Sequence, residues 1–248
     1  MGIQTFNESI LKVLQRRHTA RQAIEAFQNC RAAGFQNISI DLMYGLPGET
    51  LSTWQQDLDQ ALLLHPEHLS AYHLIYEEDT VLWKLREQHK VEEADEDLSV
   101  SLFSTLIDRL TSEGYDHYEI SNFSLPGLYS RHNSSYWTEK KYLGCGPSAH
   151  SYNGVSRQWN VASLDTYIKG ISAGTPVFEI EELDLYTRYN DFVITRIRTE
   201  WGMPLSKLRD EFGEKLYDYC LRMAAPHLKQ GTLAVSYTHL TLPTICSV

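Results

Sequence analysis

The stretch from Asn37 to Tyr76 constrains the fold more than any other part of the chain. It opens with "NISIDLMY", an apolar run suited to a buried strand, and turns through "GLPGET". An amphipathic helix follows from about Thr53 to Leu64, with Trp54, Leu58 and Leu62 on one side, and then a second run, "HLSAYHLIY". Strand, crossover helix and strand make a β-α-β unit, which implies a parallel sheet with a right-handed connection. Upstream, Asn7 is placed to cap a helix carrying Ile10, Leu11, Val13 and Leu14. The run "TARQ", Thr19 to Gln22, is a capping box that opens a second helix, which Gly34 ends. Downstream, the helix "DEDLSVSLFSTLIDRLTSEG" and the short strand "HYEISNF" make a third cycle. The class is α/β.

Beyond Pro126 and Gly127 the rhythm changes. The chain becomes loop-rich through Gly154 and mostly helical from about Ser163 to Gln230, with Gly170, Gly174, Gly202 and Gly213 as punctuation. This predicts a unit over residues 1–125 and a second over 126–235.

Composition limits the partners. A formal net charge of −10 disfavours a nucleic-acid backbone, with acids concentrated in "VEEADEDL" and "EIEELD". There is no run of eighteen apolar residues and no basic, apolar leader, so no transmembrane or secreted segment is expected. The cysteines Cys30, Cys145, Cys220 and Cys246 form no C-x-x-C pair, which fits a reducing cytoplasm.

Two places invite a ligand. One is the carboxyl ends of the parallel strands, the usual seat of chemistry in α/β folds, where Gln4, Asp41 and His73 stand. An acid such as Asp41 inside an apolar strand is costly to bury unless a ligand or a fixed donor bonds it, and a backbone amide serves as well as a ligand. Tyr72, Tyr76 and Glu77 can line the same mouth or serve as packing aromatics and rim. The other place is "RHNSSYWTEKKYLGCGPSAH", residues 131–150, which follows neither a strand nor a helix period. It reads as a loop whose aromatic side chains either face a ligand or cover one another. Over residues 131–157, Arg131, Lys140, Lys141 and Arg157 against Glu139 alone leave a local charge of +3, suited to a small anionic ligand.

The ordered set "GIQTFN", "RRH", "SIDLMYGLPGET", "YEISNF", "SRHNSSYW" and "YLGCGPSAHSY" resembles the radical S-adenosylmethionine (SAM) proteins related to the oxygen-independent coproporphyrinogen III oxidase, and among them the heme-chaperone branch. The resemblance runs from Met1 to about Val235. It implies the C-terminal part of a partial (β/α) barrel followed by a mainly helical accessory domain. It places Gln4, Arg16 and Asp41 on SAM, with Arg16 clamping the methionine carboxylate and the other two bonding ribose hydroxyls or the amino group. Adjacent Arg17 leaves that register ambiguous by one.

"HNSSYW" is similar to the family's heme-binding motif. By that likeness His132 is the iron ligand, Asn133 orients it, Tyr136 and Trp137 face the macrocycle, and Arg131 or Arg157 pairs with propionates. His150 reads instead as part of a glycine-rich turn. The resemblance implies heme delivery to a receiving protein; the alternative is oxidative decarboxylation of a porphyrinogen.

Two features depart from the family pattern. The C-x3-C-x2-C triplet that would hold a [4Fe–4S] cluster is not in this sequence, so the chain reads as a fragment and radical catalysis by it alone is not expected. Residues 236–248 read differently again: Ser236 to Thr244 back-translates to TCT TAT ACA CAT CTG ACG CTG CCG ACG, which resembles a sequencing-library adapter. That tail is expected to pack poorly against the rest. The segment "KLRDEFGEKLYDYCLRMAAPHLKQG" with the helix before it suggests a helix-turn-helix shape, but without the basic cluster of a DNA reader.

Overall fold

The computed structural model describes residues 1–236 and 239–241. They form two compact units, Met1–Ser130 and the residues from Arg131 onward.

The first unit contains β1 (Gly2–Gln4), α1 (Glu8–Val13), α2 (Ala20–Ala32), β2 (Ser39–Tyr44), α3 (Leu51–Leu63), β3 (His68–His73), α4 (Val81–Glu87), α5 (Glu96–Ser112), β4 (Asp116–Glu119) and β5 (Asn122–Ser124). The caps are those the sequence implies. Asn7 accepts from the amides of Ser9 and Ile10, and Thr19 and Gln22 close a capping box. One sheet has the order β1-β2-β3-β5-β4. β1, β2 and β3 run parallel, with Ser39 opposite His68 and Tyr44 opposite His73.

β2 is buried on one face only. Ile40, Leu42 and Tyr44 enter the core, while Ser39, Asp41 and Met43 alternate onto the other, partly open face. Helices α3 and α5 cover the core face. Trp54 is fully buried and donates from Nε1 to the Leu102 carbonyl at 3.0 Å, which satisfies its one polar atom. Leu58, Leu102, Leu106 and Leu110 are equally enclosed.

"HYEISNF" does not add a fourth parallel strand. The chain turns at Ile120 and Ser121, and β5 pairs antiparallel with both β4 and β3. The cause is local: the Glu119 carboxylate accepts from the Ser121 amide at 3.1 Å and from Asn122 Nδ2 at 2.5 Å, which folds the backbone into a hairpin.

The second unit contains α6 (Arg131–Trp137), β6 (His150–Tyr152), β7 (Ser156–Asn160), α7 (Leu164–Ser172), β8 (Phe178–Glu182), α8 (Leu185–Ile197), β9 (Met203–Pro204), α9 (Leu205–Gln230), β10 (Ala234–Ser236) and β11 (His239–Thr241). Alongside its helices it carries two antiparallel sheets, β6-β7-β8 and β10-β11-β9. Their short strands escape a reading that looks for long alternating runs. α9 kinks at Gly213, whose φ is 79°. The aperiodic stretch that begins at Arg131 is not a loop at its start: α6 spans two turns over the whole "RHNSSYW" motif.

The tail is a second correction. β11 pairs with β10 and β9, and Leu240, 3% exposed, packs with Tyr189, Phe192, Met203, Leu208 and Phe212. Leu240 therefore belongs to the core of this unit, and residues 239–241 to its sheet, whatever their origin. Residues 237–238 and 242–248, Cys246 among them, lie outside the described residues. Among the described residues, no helix is long and apolar enough to cross a membrane.

Candidate functional site

Three of the predicted residues meet over Gly2. A methyl group built on Gly2 would lie 2.7 Å from Gln4 Nε2, 3.8 Å from Arg16 Nη2 and 3.9 Å from Asp41 Oδ2. An amide, a cation and a carboxylate thus converge on space kept open by the absence of a side chain. Local structure explains each approach. β1 ends irregularly between Gly2 and Gln4, and Gln4 sits at φ 73°, a backbone conformation uncommon outside glycine. Gln15, at φ 53°, ends α1, and the Arg16 amide bonds back to the Leu11 carbonyl at 2.9 Å. Asp41 projects from the partly open face of β2 with 37% of its side chain exposed, and the Met1 amino group stands 4.0 Å away. The burial cost that singled it out does not apply; its alternation onto the open face does.

A polar row continues from this point across the sheet. Gly2, Asp41, Ser70, Asn122 and Glu119 are successive cross-strand partners. Ser70 Oγ donates to Asn122 Oδ1 at 2.8 Å, and Asn122 donates in turn to the fully buried Glu119. Sequence reading missed Ser70 and gave Glu119 and Asn122 no role. Their signal was two polar residues three apart in "HYEISNF", which fall into one row only once the hairpin is known.

His73 is not part of this set. Its ring packs on the turn at Gly45, where a methyl group would come within 2.6 Å, and Nε2 meets Ser99 Oγ at 3.0 Å. It stands edge-on to Tyr44, centroids 5.1 Å apart. Tyr76 is buried with Leu46 and Leu74, whereas Tyr72 is exposed, so these two aromatics do not line one mouth.

The "GLPGET" turn holds a carboxylate that sequence reading overlooked. Glu49, 8% exposed, accepts from the amides of Gly45 at 2.6 Å and Leu46 at 3.2 Å. Burial pushes its pKa up to about 7, the neighbouring Asp57 adding to the effect against the two amides. Asp57 is also raised by burial, while accepting from Thr5 Oγ1 at 2.5 Å and the Phe6 amide at 2.8 Å. These bonds tie the end of β1 to α3.

In the second unit, α6 sets His132 and Tyr136 one turn apart on a common face. Both are exposed; their rings meet edge-on with centroids 5.2 Å apart, and Tyr136 Oη lies 3.2 Å from His132 Nε2. The contact at His132 Nε2 is therefore with Tyr136. Trp137 turns inward beneath the Arg198 guanidinium, 4.8 Å from the ring centroid. Arg157 is ion-paired with Asp191 of α8. Tyr142 and Tyr152 extend the aromatic series, with centroid spacings of 5.0 Å from Tyr136 to Tyr142 and 6.1 Å from Tyr142 to Tyr152. His150 belongs to β6, where its ring stacks on Trp159 at 5.9 Å. Its backbone presses on Gly144: a methyl group there would sit 2.1 Å from the His150 carbonyl oxygen.

Cys30 is partly buried, Cys145 exposed and Cys220 buried, and no described set of three or more His, Cys, Asp or Glu side chains is placed to hold a metal ion. The described residues do not fit an iron–sulfur cluster.

The radical SAM superfamily model matches residues 1–61. The chain is 34% identical over 220 residues to the heme chaperone HemW of Lactococcus lactis, covering 88% of this chain and 58% of that protein. It is 32% identical over 216 residues to HemW of Bacillus subtilis, covering 87% and 57%. It is 31% identical over 181 residues to the mitochondrial radical S-adenosyl methionine domain-containing protein 1 of Danio rerio, covering 70% and 41%. The chain thus spans little more than half the length of the HemW proteins it matches. The solved coproporphyrinogen III oxidase HemN of Escherichia coli superposes with a TM-score of 0.78 at 20% identity, over 99% of this chain and 62% of that one, a likeness of fold. Motif order and sequence identity agree: over the part of their length that it spans, the chain is similar to the HemW proteins of the radical SAM superfamily.

Proposed function

We propose that this chain is part of a heme-binding protein that delivers heme to a receiving protein in the cytoplasm, with His132 as the ligand of the iron. The observation that carries the reading is the exposed pair on α6, in which an imidazole and an aromatic ring share one open face. Neutral imidazole is an ordinary axial ligand of heme iron. To reach it the His132 ring exchanges its contact with Tyr136 Oη, or offers the other nitrogen. Tyr136 supplies flat apolar area to the macrocycle, and Trp137 holds the helix down. HemW proteins, by their name, are heme chaperones, which supports the assignment. Decarboxylation of a porphyrinogen has only the fold likeness behind it.

The cradle over Gly2 fits the zwitterionic end of SAM. Arg16 would hold the carboxylate in a fork, and Asp41 and Gln4 would bond the amino group or ribose hydroxyls, each charge-assisted bond contributing roughly 1.5–3 kcal/mol. SAM would supply radical chemistry only beside a cluster, and no step is assigned to these residues. The test is a hemin titration of the 248-residue chain, comparing wild type with His132→Ala and His150→Ala by the Soret band. The first substitution is expected to abolish or shift the bound spectrum and the second to leave it intact. An unchanged spectrum in His132→Ala overturns the assignment.

A further inference from the structure

The second unit encloses a cavity of about 340 Å³ behind Tyr136 and Trp137, walled further by Tyr142, Tyr152 and Arg157 of the β6-β7 region and by Arg188 of α8. That volume is at the lower end of the roughly 300–1,000 Å³ typical of small-molecule sites, so it takes one edge of a large flat ligand. Charge bookkeeping leaves two lining cations without a carboxylate partner among the described residues, exposed Lys140 and half-buried Arg188, and burial sets Arg188 apart. Glu139 is held by Arg196 at 3.0 Å and Lys207 at 2.8 Å, Glu211 pairs with Lys207 at 3.3 Å, and Asp191 is taken by Arg157. Arg188 also lines the cavity, and among the described residues it has no carboxylate partner; its Nε is buried with no acceptor at all. A buried guanidinium nitrogen without an acceptor is destabilising, and an incoming carboxylate relieves it. Trp137 Nε1, on the same wall, is likewise buried without an acceptor. Burial raises the pKa of the Tyr142 and Tyr152 hydroxyls, which keeps both phenols neutral donors near pH 7.

We propose that this cavity seats the carboxylate-bearing edge of a flat conjugated ligand and that Arg188 is its carboxylate partner. Arg157, the cation that the motif suggested for this task, is already committed to Asp191 and acts as wall. Tyr136 joins the cavity to His132, since its ring lines the one and its hydroxyl meets the other. The naming of the ligand as a porphyrin rests on the heme-binding reading above; recognition of the carboxylate by Arg188 does not require iron or His132.

The experiment therefore uses iron-free protoporphyrin IX and its dimethyl ester, each titrated by absorbance into the 248-residue chain. Arg188→Met is expected to weaken the diacid by about tenfold, the effect of losing one charge-assisted bond, and to change ester binding by less than about twofold. Arg188→Lys, which keeps the charge but not the fork, should recover part of the loss. Arg157→Met should weaken diacid and ester alike. Equal loss of diacid and ester in Arg188→Met overturns the proposal, as does no loss in either; if that variant fails to fold, Arg188→Lys binding the diacid no more weakly than wild type overturns it. Failure of the His132 assignment shows separately, as an unchanged hemin spectrum in His132→Ala beside a retained Arg188 effect on the diacid.

Discussion

Glu49 makes the first unit sensitive to pH in a direction opposite to the usual carboxylate. Its pKa is about 7 in the folded chain against an ordinary value of 4.5, chiefly because burial disfavours the anion. Between those two values the folded state binds a proton that the unfolded state has released. The contribution of Glu49 is accordingly fully present below pH 4.5 and is lost as pH rises through about 7. At about 1.36 kcal/mol per pH unit, the interval from 4.5 to 7 corresponds to about 3 kcal/mol. Glu49→Gln removes the ionisation but keeps an oxygen to accept from Gly45 and Leu46. The measurement is hydrogen exchange of the α3 amides in both proteins, corrected for intrinsic rates, from pH 4 to pH 8. Wild type should lose protection across this range on the order of 3 kcal/mol more than the variant, leaving the variant more protected at pH 8 and the two alike at pH 4. Parallel profiles would show that Glu49 ionises freely in the folded chain. Asp57 is raised in the same direction, so it contributes to the slope common to both proteins rather than to their difference.

Leu240→Ala should destabilise the second unit by about 2–4 kcal/mol, since the side chain is 3% exposed among aromatic neighbours; a urea midpoint equal to wild type would remove the tail from the core. Gly45→Ala combines a φ of 72° with a contact 2.6 Å from the His73 ring, and should lower the melting temperature by more than the same exchange at Gly34, whose surroundings are open. Gly2→Ala displaces only the flexible end of Gln4, so stability should change by less than about 0.5 kcal/mol. Because the proposed SAM cradle rests on Gln4, Arg16 and Asp41 alone, calorimetry should find no saturable SAM binding below millimolar concentration; tight binding would mean that the cradle over Gly2 suffices.

The β-α-β core was legible because its signals are local and redundant. Trp54 and Leu58 mark a helix face, Thr19 and Gln22 mark a cap, and each agrees with its neighbours. The convergence of Gln4, Arg16 and Asp41 was legible as a set through motif order, whereas the opening over Gly2 was not, because it depends on a side chain that is missing. The hairpin of β4 and β5 escaped because one carboxylate, Glu119, decides the turn by bonding two residues ahead. α6 escaped because its polar and aromatic residues follow no apolar stripe, and none of its side chains is fully buried. Arg157 was read, as an alternative to Arg131, as a partner for propionates, and only the fold shows its ion pair with Asp191, thirty-four residues away.

A two-turn helix such as α6 is shorter than the length at which helices persist unaided in water, roughly 12–15 residues. Its order is therefore borrowed from the unit around it, through the burial of Trp137 beside Arg198. His132 and Tyr136 share a face only in the fraction of molecules whose helix is formed, so apparent affinity for any ligand of that face scales with this fraction. By linkage, occupancy of the face winds the helix, and whatever unwinds it releases the ligand. Any ligand taken up on this face would exchange by shifting a local helix–coil equilibrium.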